Sequence, residues 1–187
     1  VVVRWCRFQN YYSDEWHGTW KLDGGVINQQ AIHHIDALNY LFGSVKKVSS
    51  FLTKRINKLE AEDTCVAIMK LQNGALCTLE ATTAARPKDY EASITIVGEK
   101  GYAKIGGVGL NLINDWNFVG EKKNNKLIKK YSQNFDNGYG ISHAKIVPLF
   151  LKEAKKNKKN YTYVINSIST LKLIHLIYSS YEKSKVV

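Results

Sequence analysis

Between Asp23 and Asp36 the sequence reads DGGVINQQAIHHID: two glycines, a polar triplet, two adjacent histidines and a closing aspartate. Histidine is the side chain whose ordinary pKa lies nearest neutrality, so His33 and His34 are the first candidates for moving a proton. The stretch runs into ALNYLFG and reads as one helix over 27–42 that stops at Gly43, a C-cap glycine. At roughly 100° per residue, Ile27, Ala31, Ile35, Leu38, Leu41 and Phe42 share a broad apolar arc, while Gln29, His33, Asp36 and Tyr40 lie opposite. Gln29 and Asp36 stand four and three residues from His33, so either can touch it. His34 falls at the border of the apolar arc and is read as structural. His33 has two readings: a solvated or locally satisfied histidine, or an acid/base group in a cleft.

The context bears on that choice. The Gly24-Gly25 pair lets backbone approach another surface closely. The preceding NYYSDEWHGTWKL supplies Tyr11, Tyr12, Trp16 and Trp20, a composition that suits the lining of a ligand pocket or the edge of a core. Trp20, beside apolar Leu22, is assigned to the core edge.

The elements that must carry these residues follow from periodicity. Residues 1–8 alternate as a strand, and period two returns at 46–53. DTCVAIMKL and ALCTLEATT flank QNG as a hairpin. With a two-residue turn at Asn73-Gly74, 72 pairs with 75 and 65 falls opposite 82, so Cys65 and Cys77 are not cross-strand partners. EASITIVG and GYAKIGG form another pair around Glu99-Lys100-Gly101; GLNLINDWNFV and NKLIKKYSQNF are weaker strands. From Ile141 the pattern turns helical, with Pro148 inside. A last helix covers about 164–183, with Ile165, Ile168, Leu171, Ile174/His175 and Tyr178 at helical spacing. Clustered strands bracketed by helices predict an α+β fold, a largely antiparallel open sheet of six to seven strands with helices on one face. The other face needs cover, for which a second subunit is the natural candidate.

The chain's 187 residues suit one domain, and 44% apolar with 23% charged residues is ordinary for a fold with a real core. No apolar run approaches the roughly 20 residues of a membrane span. The opening VVVRWCRFQN has no initiator Met and no signal pattern, and a β-rich segment starting so abruptly is expected to follow further sequence. Cys6, Cys65 and Cys77 fit neither a metal motif nor a disulfide framework, and are read as reduced thiols of a cytoplasmic protein. The net charge of +11 is concentrated at 121–130 and 151–160, where Asn is also abundant. No RNP-like motif, zinc finger or helix-turn-helix accompanies it, so nucleic acid is not the expected partner; a basic, non-enzymatic nucleic-acid module stands as the rival class.

The stretch from Arg7 to Gly43 resembles the second domain of the glucose-fructose oxidoreductase / inositol dehydrogenase / MocA (Gfo/Idh/MocA) family: a Gly-rich turn, a helix with G-x-H-x-x-D, and a Leu-rich segment ending in Gly. His33 and Asp36 fall on the H-x-x-D positions. YYSDEWHGTWKLDGG resembles the subgroup that oxidises the 3-hydroxyl of UDP-N-acetylglucosaminuronic acid in surface-polysaccharide biosynthesis, and the tail from Gly138 is similar to the family's closing helices. Many members carry Asp where this chain has Gln29; the subgroup is similar in preferring amides there. The sequence holds no strand–GxGxxG–helix and no Glu-Lys-Pro motif, which in the family belong to an N-terminal Rossmann domain.

The resemblance implies that residues 1–187 are the C-terminal substrate-binding and oligomerisation domain of a two-domain NAD- or NADP-dependent dehydrogenase, inactive by itself. It implies His33 as acid/base or hydroxyl-positioning group, working with a lysine outside this chain, and Asp36 as its orienting partner. Gln29 and Asn28 are expected to hold sugar hydroxyls, and Tyr11, Tyr12 and Trp16 to line the sugar or nucleotide end. Lys21 or Arg7 is expected to meet a carboxylate or diphosphate, and Gly24 and Gly25 to lie near the nicotinamide. A free polyol or another sugar is the alternative substrate. The expected assembly is a homo-oligomer through the open sheet face, with no metal and no membrane.

Overall fold

A computed structural model describes residues 1–8, 16–121, 125–135, 142–156 and 162–183, without the side chains of 127 and 162–166. Tyr11 and Tyr12, two of the expected pocket residues, lie outside the described residues. The elements run β1 (Val2–Cys6), α1 (Val26–Gln29), α2 (Ile32–Phe42), β2 (Val45–Thr53), β3 (Thr64–Leu71), β4 (Leu76–Thr82), β5 (Glu91–Gly98), β6 (Gly101–Gly106), β7 (Leu112–Phe118), α3 (Asn125–Tyr131), α4 (Ser142–Lys155) and α5 (Thr162–Lys183).

The seven strands form one sheet in the order β2-β3-β4-β1-β5-β6-β7. All neighbours are antiparallel except β1 and β4, which run parallel. The first strand therefore enters at the middle, where alternation buries Val3 and Trp5 on one face and turns Val2, Arg4 and Cys6 to the other. Val3 pairs with Leu79 and Ile94, and Ala67 pairs with Leu79, so the apolar positions of four strands share one surface. Onto it pack Val26, Ile27, Ala31, Ile35 and Leu38 from α1–α2 and Leu173, Ile174 and Ile177 from α5. Fully burying each such large aliphatic side chain contributes about 1.5–3 kcal/mol, which is what holds α1–α2 to the sheet.

Among the described residues, the opposite face keeps exposed apolar side chains. Phe51, Val66 and Ile68 stand exposed on β2 and β3. A charged row crosses the middle: Arg4 donates to Glu80 at 2.8 Å and Glu91 at 3.4 Å, and Lys104 meets Glu91 at 2.7 Å.

Local structure departs from the periodicity in four places. The helix expected over 27–42 breaks into α1 and α2 at Gln30–Ala31, because Ala31 N–H reaches back five residues to Val26 O at 2.8 Å. The β3–β4 hairpin pairs Lys70 with Leu76 and Cys65 with Ala81, one residue from the expected register. Its turn is longer: Gly74 takes φ +91°, and Asn73 Oδ1 accepts the Ala75 N–H at 3.0 Å. Cys77 faces Met69, so the thiols are apart as expected. Residues 125–131, expected as strand, are helical, with Ile128 and Tyr131 three apart and Lys129 and Lys130 in the last turn. Finally, α5 is rotated from its expected phase. Thr170, Leu173, Ile174 and Ile177 face inward while Ile168, Leu171 and His175 are exposed, since Ser50 Oγ bonds the Ile177 carbonyl at 2.6 Å and sets which side meets the sheet.

Candidate functional site

The turn before α1 is tied by its own polar groups. Asp23 Oδ2 accepts from Gly18 N–H at 3.0 Å, and Thr19 O accepts from Asp23 and Gly24 N–H. The loop 54–63 holds it from outside: Ala61 N–H donates to Gly18 O at 2.8 Å, and Glu60 accepts from Trp20 N–H at 2.9 Å. The loop is itself closed by the buried Asp63, whose carboxylate accepts N–H bonds from Arg55, Ile56 and Asn57. These bonds leave α1 entering the core at a fixed angle, with Gly25 lying directly over Glu62. A Cβ at position 25 would stand 2.0 Å from Glu62 Oε2, so any side chain there would displace the Glu62 carboxyl.

The two histidines then take opposite environments. His34 is buried, edge-to-face on Trp5 with ring centroids 4.8 Å apart. Burial, followed by the charges of His33 and Arg7, lowers its pKa to about 4, so it is neutral in the core. His33 is exposed on α2.

The remaining expected residues divide. Gln29, half-buried at the end of α1, accepts through Oε1 from the Gln30 amide. Asn28 spends its amide N–H on Asp23 O at 2.7 Å, which fastens the turn. Asp36 accepts from the Thr170 hydroxyl of α5, so in this structure it ties α2 to α5. Trp16 is exposed and stacks on His17 at 3.6 Å. Trp20, expected at the core edge, is 53% exposed and rests edge-on against Tyr178, with Leu22 exposed beside it. Lys21 is exposed. Arg7 is drawn away from the role expected of it: its Nε and Nη2 donate to Asp89 Oδ2 at 2.9 and 2.6 Å, and its guanidinium lies over Trp5. Among the described residues, no cluster of His, Cys, Asp and Glu could hold a metal ion, and no helix is long and apolar enough to cross a membrane. The three thiols are raised by burial, Cys6 and Cys77 to about 11 and Cys65 to about 12.

Sequence reasoning missed Glu62. It is 4% exposed, accepts from Ile27 N–H at 3.2 Å and Tyr178 OH at 3.0 Å, and has its second oxygen buried without a partner. Desolvation raises it to about 7, against the pull of the Ile27 N–H and the Tyr178 hydroxyl. Only the pairing of acids in EAED marked it, and an acidic pair before a strand ordinarily reads as solvated turn.

The chain is similar to two solved dehydrogenases. It resembles the WlbA dehydrogenase from Bordetella pertussis, in complex with NADH and UDP-GlcNAcA, at TM-score 0.85 and 29% identity, covering 97% of this chain and 53% of that one. It resembles the WlbA dehydrogenase from Chromobacterium violaceum, in complex with NADH and UDP-GlcNAcA, at TM-score 0.78 and 33% identity, covering 97% and 51%. A levoglucosan dehydrogenase in complex with NADH and L-sorbose shares the fold at TM-score 0.67 and 17% identity, over 98% of this chain and 56% of that one. The chain thus spans about half the length of these relatives. No curated protein matches it. The profile of the oxidoreductase family's C-terminal alpha/beta domain matches residues 1–187, and the chain belongs to that Gfo/Idh/MocA oxidoreductase family as its C-terminal domain.

Proposed function

We propose that this chain is the substrate domain of an NAD(P)-dependent sugar dehydrogenase that oxidises the 3-hydroxyl of a UDP-N-acetyl-hexuronate. The observation that carries the reading is the exposed His33, on a helix whose other side is locked into the core. The likeness to dehydrogenases solved with NADH and UDP-GlcNAcA supports the substrate class.

The described residues fit a nicotinamide only as a facing surface. They contain an exposed imidazole and half-buried amides but no glycine-rich strand-to-helix turn to cradle a pyrophosphate. When bound, the cofactor supplies the hydride acceptor. His33 holds and accepts the proton of the sugar hydroxyl at an imidazole nitrogen. Gln29 and Asn28 orient neighbouring hydroxyls through their amides. Asp36, fastened to Thr170, keeps α2 in place beneath His33. Exposed Trp16 gives the sugar or nucleotide an aromatic surface, and exposed Lys21 meets its anionic end. Phe51, Val66 and Ile68 on the open sheet face offer the surface for self-association, which gel filtration tests: a monomer at all concentrations overturns it.

The test is His33→Asn in the full-length enzyme. Turnover of the UDP-sugar is expected to fall roughly a hundredfold or more, with thermal unfolding unchanged. Near-normal turnover overturns the assignment. The isolated chain is expected to turn over nothing and to bind no NAD stoichiometrically by calorimetry.

A further inference from the structure

Glu62 holds three consecutive backbone groups at the start of α1, directly or through Tyr178. Its main-chain oxygen accepts from Val26 N–H at 3.0 Å, and Oε1 accepts from Ile27 N–H. Tyr178 of α5 donates to the same Oε1 and is itself bonded to the Gly25 backbone. Oε2 is buried without a hydrogen-bond partner and is aimed at Gly25. The titratable groups that face Glu62 are Tyr178 from α5, the adjacent Asp63 and Cys65 from β3, while α1 brings none. None of these is a cation, so among the described residues nothing offsets a charge on the carboxyl. An ionised group so buried is strongly disfavoured, and its orphaned oxygen would carry part of that charge.

We propose that Glu62 is a positioning residue for the His33 face. Its carboxyl clamps the start of α1 against α5, and ionisation disturbs that clamp by placing charge on the unpartnered Oε2 beneath Gly25. The proposal rests on the reading of His33 and Gln29 given above. The lever is short. α1 is a single turn, and the Ala31 N–H on Val26 O joins it to α2, so a shift at Val26–Ile27 is carried to Gln29 and to the first turn of α2, where His33 sits. Burial brings the carboxyl's titration to about 7, within the working range of such a device.

Two measurements test this. In the 187-residue chain, labelled with 15N and with 13C at glutamate carboxyls, one carboxyl is expected to titrate near 7. The Ile27 and Gln29 amides should follow the same midpoint, and Glu62→Gln should remove the shared transition from an otherwise native spectrum. Amides that do not follow, or that follow equally in Glu62→Gln, overturn the proposal whether or not the chain serves a dehydrogenase. In the full-length enzyme assayed with UDP-GlcNAcA, Glu62→Ala is expected to raise KM about tenfold or more below neutrality. Glu62→Gln should restore KM and flatten the fall of kcat/KM through neutral pH. Equal losses in both variants with an unchanged pH profile overturn it. Coupled amides without turnover of UDP-GlcNAcA by the wild type overturn the substrate assignment and leave the clamp standing.

Discussion

The two sides of the α1–α2 segment use the same residue types to opposite ends. His33 and His34 are neighbours in sequence, yet one imidazole is exposed and the other lies against Trp5 with its pKa pushed down to about 4. Inward, polar groups are costly: both His34 nitrogens, Trp5 Nε1 and Glu62 Oε2 are buried without partners. Outward, Gln29 is half-buried and His33 stands exposed. A histidine's chemistry is thus decided by helix phase and by what covers each side.

That contrast can be broken most directly through stability. Ile35→Ala on the inner side is expected to cost about 2–5 kcal/mol, against under about 0.5 kcal/mol for His33→Ala. Urea unfolding measures both, and similar costs would mean that α2 is not divided in this way. The buried ionisable groups sharpen the contrast through pH, with opposite signs. His34 falls from 6.5 to about 4 on folding, so the stability it contributes is present above 6.5 and lost as pH drops toward 4. The full loss is on the order of 3 kcal/mol, and His34→Leu should flatten it. Glu62 rises from 4.5 to about 7, so its contribution is present below 4.5 and is lost as pH climbs through 7. Unfolding free energy measured from pH 4 to 8 should therefore fall toward both ends, and Glu62→Gln should remove only the upper fall. A smaller effect than that of Ile35→Ala belongs to the tie between helices. Thr170→Val removes the hydroxyl that Asp36 accepts from and should cost about 1 kcal/mol in the same assay. A value near zero would mean that this bond does not position α2.

Much of the fold was legible because alternation and helical spacing are local. Val3 and Trp5, the β3–β4 alternation and the Ile35–Leu38 spacing announced their buried sides without any neighbour being known. The exposure of His33 was legible for the same reason, since an outer face is what remains once the apolar arc is removed. Arg7 was not: its charge suggested an anionic ligand, and Asp89, 82 positions away, takes it. Asp36 was placed against His33 by spacing, while Thr170 of α5 occupies its carboxylate. Local pattern gives a residue's direction, not its partner.

The sequence by itself determined the class of fold, the seven-strand count within its expected range, and which side of α1–α2 is polar, because period and side-chain chemistry act within a few residues. Only the tertiary structure decided the parallel entry of β1 beside β4, the break at Gln30–Ala31, the phase of α5 and the burial of Glu62 beneath Gly25. Each of these depends on which distant segment supplies a hydrogen bond or fills a space, and that is set when the chain closes on itself.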